Sequence, residues 1–309
     1  IINDCSGFLI PFVNEVFGES YTGDEAIEFS PNEHMIDQQD APDKKRITDT
    51  AFSILPAGGG LRKSYHLECE SSPFSRDGRI LVRIFEYDAQ IALDAGAACG
   101  DTLRVSFPNT AILFLRGKAP GVMHIEMETP GGRVRYDVGA ARMTDYTVED
   151  IFRKRLYLLI PFYIFNCEAD FKGYEANEER LEELKEVYRD VIERLDGAVE
   201  AGEITPFDKR TLVELSDDVL KELAAKYENI KKGMGDIMSG AMIETEARRI
   251  RDSGRSEGRK EGREEGREEE RIAQITDMLS RGKTAQAIAD FCGYPLNLVR
   301  SVEESLQTV

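Results

Sequence analysis

Apolar residues at helical spacing run through "SGFLIPFVNEVFGE" (6–19) and stop at Gly18, which predicts a helix. The polar stretch "FSPNEHMIDQQDAPDKK" (29–45) reads as a loop with room for one short strand. Two strands are predicted next, "RITDTAFSIL" (46–55) and "YHLECESS" (65–72), joined through "PAGGGLRK" (56–63), whose Pro and three Gly mark a turn. "GRILVRIFEYDAQIALDAG" (78–96) is amphipathic, with Ile80, Ile84, Tyr87 and Ile91 on one face and Arg79, Arg83, Glu86 and Gln90 on the other. "TAILFLR" (110–116) is continuously apolar, as expected of a strand buried on both sides. "VMHIEMETPGGRVRYDV" (122–138) alternates about Gly131-Gly132 and predicts a hairpin. Helix, strand, strand, helix, strand is the order of a mixed-sheet α/β core, placed at 1–170.

Beyond it the period is helical and the composition charge-rich, a helical region over 171–250. "NEERLEELKEVYRDVIERLDGAVEAG" (177–202) is one long amphipathic helix, and a second follows over 205–232, with Thr205 as its cap before Pro206. Over 251–271 a four-residue repeat appears, with Gly at 254, 258, 262 and 266, Arg at 255, 259, 263 and 267, and Glu at 257, 261, 265 and 269. Glycine costs a helix about 1 kcal/mol relative to alanine, so a solvated linker is one reading. A smooth Gly stripe between Arg and Glu stripes, able to pair with a second copy, is the other. The tail (272–309) reads as short helices broken at Gly282 and Gly293. Thr284, Ile288, Ala289, Gly293 and Val299 are spaced like a helix-turn-helix, yet the last helix sets Glu303 and Glu304 against Arg300. That balance suits phosphate poorly and favours a small packing or oligomerisation module.

Charge changes the picture of partners. The net charge of −18 means that nucleic acid would need a local basic patch or metal ions. Five scattered Cys fit reduced cytoplasmic thiols better than a disulfide framework or a zinc site. The apolar run "LYLLIPFYIF" (156–165) is too short to span a bilayer, so no membrane is expected. The chain opens on Ile1 in mid-pattern, which suggests that a piece precedes it.

The candidate chemistry lies on the two strands. Alternation puts Tyr65, Leu67 and Cys69 on one face and His66, Glu68 and Glu70 on the other. Folding the strands about the Gly-rich turn brings Asp49 opposite Glu68, to within a residue or two of slippage, with Glu70 about 7 Å further along the same face. Carboxylates this close repel unless water screens them or a cation sits among them. Magnesium takes one or two carboxylates plus waters. Lys44, Lys45, Arg46, Arg62, Lys63, Arg76, Arg79 and Arg83 form a basic neighbourhood that favours the cation, and acids inside a basic rim suit phosphodiester hydrolysis. His66 reads as a structural or supporting residue, while Arg83 either touches phosphate or pairs with Glu86 or Asp88. His34 and His124 have no evident partners. Gly58, Gly59 and Gly60 belong to the turn, since no Lys-Ser/Thr follows them to make a phosphate loop.

Asp49, the Gly-rich turn, "HLECES" and "RILVRIFEYDAQIAL", with "FLIPFVNEVFG", "RITDT", "FPNTAILFLR", "LLIPFYIF" and the Gly-x-x-Glu repeat before a helical tail, make the chain similar to the PD-(D/E)XK nuclease family transposases of the recombination-promoting nuclease group. The resemblance covers roughly 1–250. It implies a restriction-endonuclease-like α/β core in which Asp49 and Glu68 hold Mg2+ or Mn2+. Glu70 falls where the family has Lys or Gln. A lysine there stabilises the developing hydroxide, and a glutamate cannot do so as a cation. It serves instead as a further ligand, as a general base if its pKa is raised, or not at all. Glu15 is the candidate helix carboxylate. The expectation is therefore a magnesium-dependent DNA endonuclease linked to recombination, cytoplasmic, self-associating through its helical C-terminal half. The alternative is a DNA-associated, self-associating protein with a degenerate site.

Overall fold

A computed structural model describes residues 6–30, 50–56, 60–243 and 271–307. The chain divides into two compact units, 1–243 and 244–309.

The first unit opens with a short 3-10 turn leading into α1 (Leu9–Phe17), which ends at Gly18 in the left-handed region (φ 67°), the stop read from the sequence. Three strands follow, β1 (Ala26–Phe29), β2 (Thr50–Leu55) and β3 (Lys63–Glu70), paired antiparallel in sequence order. Helix α2 (Arg79–Asp94) and a small exposed hairpin, β4 (Ala97–Cys99) with β5 (Thr102–Arg104), cross over to β6 (Asn109–Phe114), which pairs parallel to β3. The hairpin β7 (Val122–Thr129) and β8 (Gly132–Arg142) closes the sheet, with β8 parallel to β6. The six-stranded order is β1-β2-β3-β6-β8-β7, a mixed sheet. β6 is buried on both faces from Thr110 to Phe114, as its unbroken apolar run predicts.

Alternation gives the sheet two different faces. Phe52, Ile54, Tyr65, Leu67, Ala111 and Leu113 face α1, whose Leu9, Phe12 and Val13 are buried against them. Ile112, Phe114 and Val138 face α2 and pack on Ile84, in a separate and smaller apolar cluster. α2 therefore covers the face opposite α1.

After β8, α3 (Val148–Arg153) is fixed by a Thr147–Asp150 capping box, and a 3-10 stretch, Tyr157–Asn166, buries most of the apolar run noted in the sequence. Helices α4 (Phe171–Ala176), α5 (Glu178–Glu200), α6 (Pro206–Leu223) and α7 (228–243) follow. Asn177 caps α5, and Thr205 caps α6 in a box with Asp208, with Pro206 in the first turn. Their buried stripe (Leu184, Tyr188, Leu195, Leu220, Met234) belongs to the same apolar cluster as the α1 face of the sheet. The sequence suggests two regions meeting near 170; the packing makes them halves of one core.

The repeat at 251–271 lies almost wholly outside the described residues, so neither of its readings meets the structure. In the second unit, a helix over 271–280 precedes Ala285–Cys292 and Leu296–Gln307. Gly282 and Gly293 stand at the breaks with φ of 82° and 68°, and Thr284 caps the middle helix. Ile275, Ile288, Ala289, Val299 and Val302 form this unit's own core. Among the described residues, no helix is long and apolar enough to cross a membrane.

Candidate functional site

The β2–β3 register pairs Thr50 with Leu67 and Phe52 with Tyr65, the register taken from the turn. Asp49 itself lies outside the described residues, as do Lys44, Lys45, Arg46, His34, Gly58 and Gly59. Glu68 and Glu70 are on the α2 face at the carboxyl end of β3, beside the parallel strand β6 (Glu68 opposite Ile112, Glu70 opposite Phe114). A parallel neighbour on one side and an antiparallel one on the other make this strand end a change of direction in the sheet.

The cation between the two carboxylates comes from α2. One Arg83 nitrogen, Nη2, lies 2.6 Å from Glu68 Oε1 and 2.6 Å from Glu70 Oε2. The helical reading put Arg83 on the solvent face, paired with Glu86 or Asp88 or touching phosphate. In the structure the α2 stripe is rotated, with Ile84, Asp88 and Ala92 buried, and Arg83 at its edge reaches down to the strand. Glu68 is 4% exposed, so its charge is sheltered from water and the Arg83 contact is strengthened accordingly.

Burial pushes the Glu70 carboxyl up, but the Ser72 backbone N–H, donating at 2.7 Å, and the Arg83 guanidinium outweigh it and hold Glu70 below its ordinary value. Glu70 is thus ionised at neutral pH. It suits an ion pair or a metal ligand, and the raised pKa that a general base needs is absent.

Behind this pair is a buried polar group that the sequence reading missed. Asp88 is fully buried and accepts from Thr110 Oγ1 at 2.8 Å and from Tyr136 OH at 3.2 Å, while His66 Nδ1 lies 2.8 Å from the same carboxylate. His66 Nε2 lies 3.9 Å from Glu68 Oε2. Polar groups thus lie in a row, Glu70, Arg83, Glu68, His66, Asp88, of which the last three are buried. His66, expected in a structural or supporting role, is buried and bonded to Asp88. The signal for Asp88 was an acid four residues after Ile84 and four before Ala92, in the middle of an apolar stripe.

The basic neighbourhood is dispersed. Arg62 pairs with Glu28 and Lys63 with Glu19, at the far end of β3 from Glu70. Arg76 is exposed before α2, and Arg79, the first residue of α2, is exposed and pairs with Asp77 at 2.7 Å. Arg116, at the end of β6, is the basic residue that sequence reasoning overlooked. Its Nη1 donates to Ser71 O at 2.6 Å, it pairs with Glu168, and it lies over the Phe165 ring at 4.6 Å. His124 pairs with Asp137 in the exposed β7–β8 hairpin.

Glu15 does not join Glu68. It sits on α1, whose packing is on the opposite face of the sheet, and binds Lys154 Nζ at 2.6 Å. It lines a cleft of 650 Å³ with Asn14, Tyr21, Arg155, Tyr157 and Glu203. Arg155 there has a left-handed backbone (φ 58°) and pairs with Glu203.

The donors on the α2 face match magnesium or manganese in kind, since Glu68 and Glu70 offer hard oxygens and such ions fill their remaining positions with water. Among the described residues no group of three His, Cys, Asp or Glu is arranged to hold a metal ion. A third protein ligand would have to come from elsewhere, and Arg83 would have to yield oxygens from both glutamates. Comparison with family models, curated proteins and solved structures gives no match to this chain.

Proposed function

We propose that the chain is a metal-dependent DNA endonuclease of restriction-endonuclease-like architecture, with Asp49, Glu68 and Glu70 as its acidic set and Mg2+ or Mn2+ as its cofactor. The observation that carries this reading is the placement of Glu68 and Glu70 together on one face at the carboxyl end of β3, beside a parallel strand. The described β2–β3 register ends at Thr50–Leu67, and Asp49 joins the set from the sequence alone. A bound divalent ion would polarise the phosphoryl oxygen and activate the attacking water. The chain's own residues supply the rest. Glu68 is a ligand with Glu70 as a further acidic member, Asp88 holds His66 beside Glu68, and Arg76, Arg79 and Arg116 are the candidates for backbone phosphates. The cytoplasm as its location and self-association through the helical C-terminal half belong to the same proposal.

The test is nicking of supercoiled plasmid with Mg2+ or Mn2+. Cleavage should disappear in Asp49→Ala and in Glu68→Ala; if both variants nick as well as the parent, the assignment is wrong. One observation favours a second reading, a DNA-associated protein whose site is degenerate. Arg83 already neutralises the two glutamates, so no metal is needed to hold them together. A parent that binds DNA but never nicks it, with either ion, selects this second reading.

A further inference from the structure

We propose that the cleft on the α1 face of the sheet is a binding site for a small zwitterion of the amino-acid type. The inference does not depend on the nuclease reading, since the cleft lies on the opposite face from Glu68. Its space, 650 Å³, falls within the range of small-molecule sites, about 300–1,000 Å³. Its two cations are adjacent residues, Lys154 and Arg155, and its carboxylates are Glu15, Glu203 and Asp208. Arg155 sets the cleft apart. α3 ends in a Schellman turn, in which the Arg155 N–H donates to Phe152 O at 3.1 Å and the Leu156 N–H to Ile151 O at 2.8 Å. Such a turn needs a left-handed backbone and favours glycine, yet Arg155 takes the place at φ 58°, the one residue other than glycine to do so among those described. Its partner does not offset that strain. The Arg155–Glu203 pair is 62% and 30% exposed, and exposed pairs contribute little to stability. Strain of this kind points to a role for the side chain beyond the fold.

The charges decide the ligand. Arg155 donates to Glu203 Oε1 through Nη2, and the rest of its fork makes no hydrogen bond among the described residues. Lys154 Nζ donates to Glu15 Oε1 at 2.6 Å, and Glu15 Oε2 accepts no bond among the described residues. Donors and acceptors therefore stand open side by side. An anion alone would meet three carboxylates, and a cation alone would meet two fixed cations. A molecule with one carboxylate and one ammonium adds no net charge. Its carboxylate takes the open N–H groups of Arg155 and Lys154, and its ammonium takes the carboxylates of Glu15 and Glu203, whose oxygens can each accept more than one bond. The groups are positioned before a ligand arrives. Tyr157 OH donates to Glu203 Oε2 at 2.8 Å, and Asn14 bonds the Tyr21 backbone in both directions at 2.9 Å, which fixes the rim.

The experiment screens the full chain by thermal melts and calorimetry against the common α-amino acids, then against the N-acetyl and amide derivatives of any that binds. At least one amino acid should raise the melting temperature. Its N-acetyl form, which lacks the ammonium, and its amide, which lacks the carboxylate, should each bind about tenfold more weakly or worse, the scale of one nearby charge. Arg155→Gly and Arg155→Asn, both at ease in a left-handed backbone, should melt at or above the parent's temperature and lose the shift that the amino acid gives. No binding by any amino acid overturns the proposal, as do derivatives that bind as tightly as the amino acid itself or variants whose binding is unchanged. Variants that melt well below the parent show that Arg155 serves the fold, and that result overturns it too.

Discussion

On one face of the sheet, α1 lays Leu9, Phe12 and Val13 against Phe52, Leu67 and Leu113, and the helical region extends the same apolar cluster to Ala241. On the other face, α2 lays Arg83 and Asp88 against Glu68, Glu70 and His66, with only a small apolar patch around Ile84, Ile112 and Phe114. Both faces are cut from the same strands, one residue apart. The first is what a stable fold needs. The second buries polar and ionisable groups, for which apolar residues of similar volume are often equally stabilising.

The comparison can be sharpened by mutation, from the largest effect to the smallest. Phe52→Ala on the apolar face, where the ring stacks on Tyr65 at a centroid distance of 5.6 Å, should cost about 4 kcal/mol in urea denaturation. On the polar face, Asp88→Ala strips His66, Thr110 and Tyr136 of their shared acceptor and should cost about 3 kcal/mol. The double variant His66→Leu/Asp88→Leu should keep most of the parent's denaturation midpoint while losing nicking. If it unfolds instead, the polar layer is structural and the contrast between the faces fails. Tyr65→Phe removes a hydroxyl bonded to Tyr21 and Glu19 at 2.7 and 3.0 Å and should cost about 1 kcal/mol.

The smallest effect is one of pH. Glu70 is held below its ordinary 4.5, so it binds a proton less readily folded than unfolded. Its contribution to stability is complete above the unfolded value and is lost as pH falls through the folded one. Acid titration followed by circular dichroism should show Glu70→Gln losing less stability than the parent below pH 4.5. An unchanged acid limb would mean that Arg83 and Ser72 do not hold the carboxylate in solution.

Much of this was legible beforehand because two-residue alternation is unambiguous. Tyr65 and Leu67 lie on one face and His66, Glu68 and Glu70 on the other, as alternation predicts, and the observed pairing of Thr50 with Leu67 falls within the slippage that the Gly-rich turn left open. The helix was harder, because one residue turns its face by about 100°. Choosing Tyr87 for the apolar stripe in place of Asp88 sent Arg83 to solvent and hid the buried acid. Glu15 could not be placed from its own helix, since the side of the sheet that α1 covers is decided by long-range packing. The exposed β4–β5 hairpin left no signal, as its three-residue strands have no buried side to create a pattern.

The apolar cluster that runs without interruption across residue 170 has a practical consequence. A gene fragment ending there would strip the cover from Leu159, Ile164 and neighbouring side chains, and the product would be expected to precipitate or be degraded. Residues 1–243 are the shorter piece worth expressing, and a protease cut between α4 and α5 should destroy the sheet along with the helices.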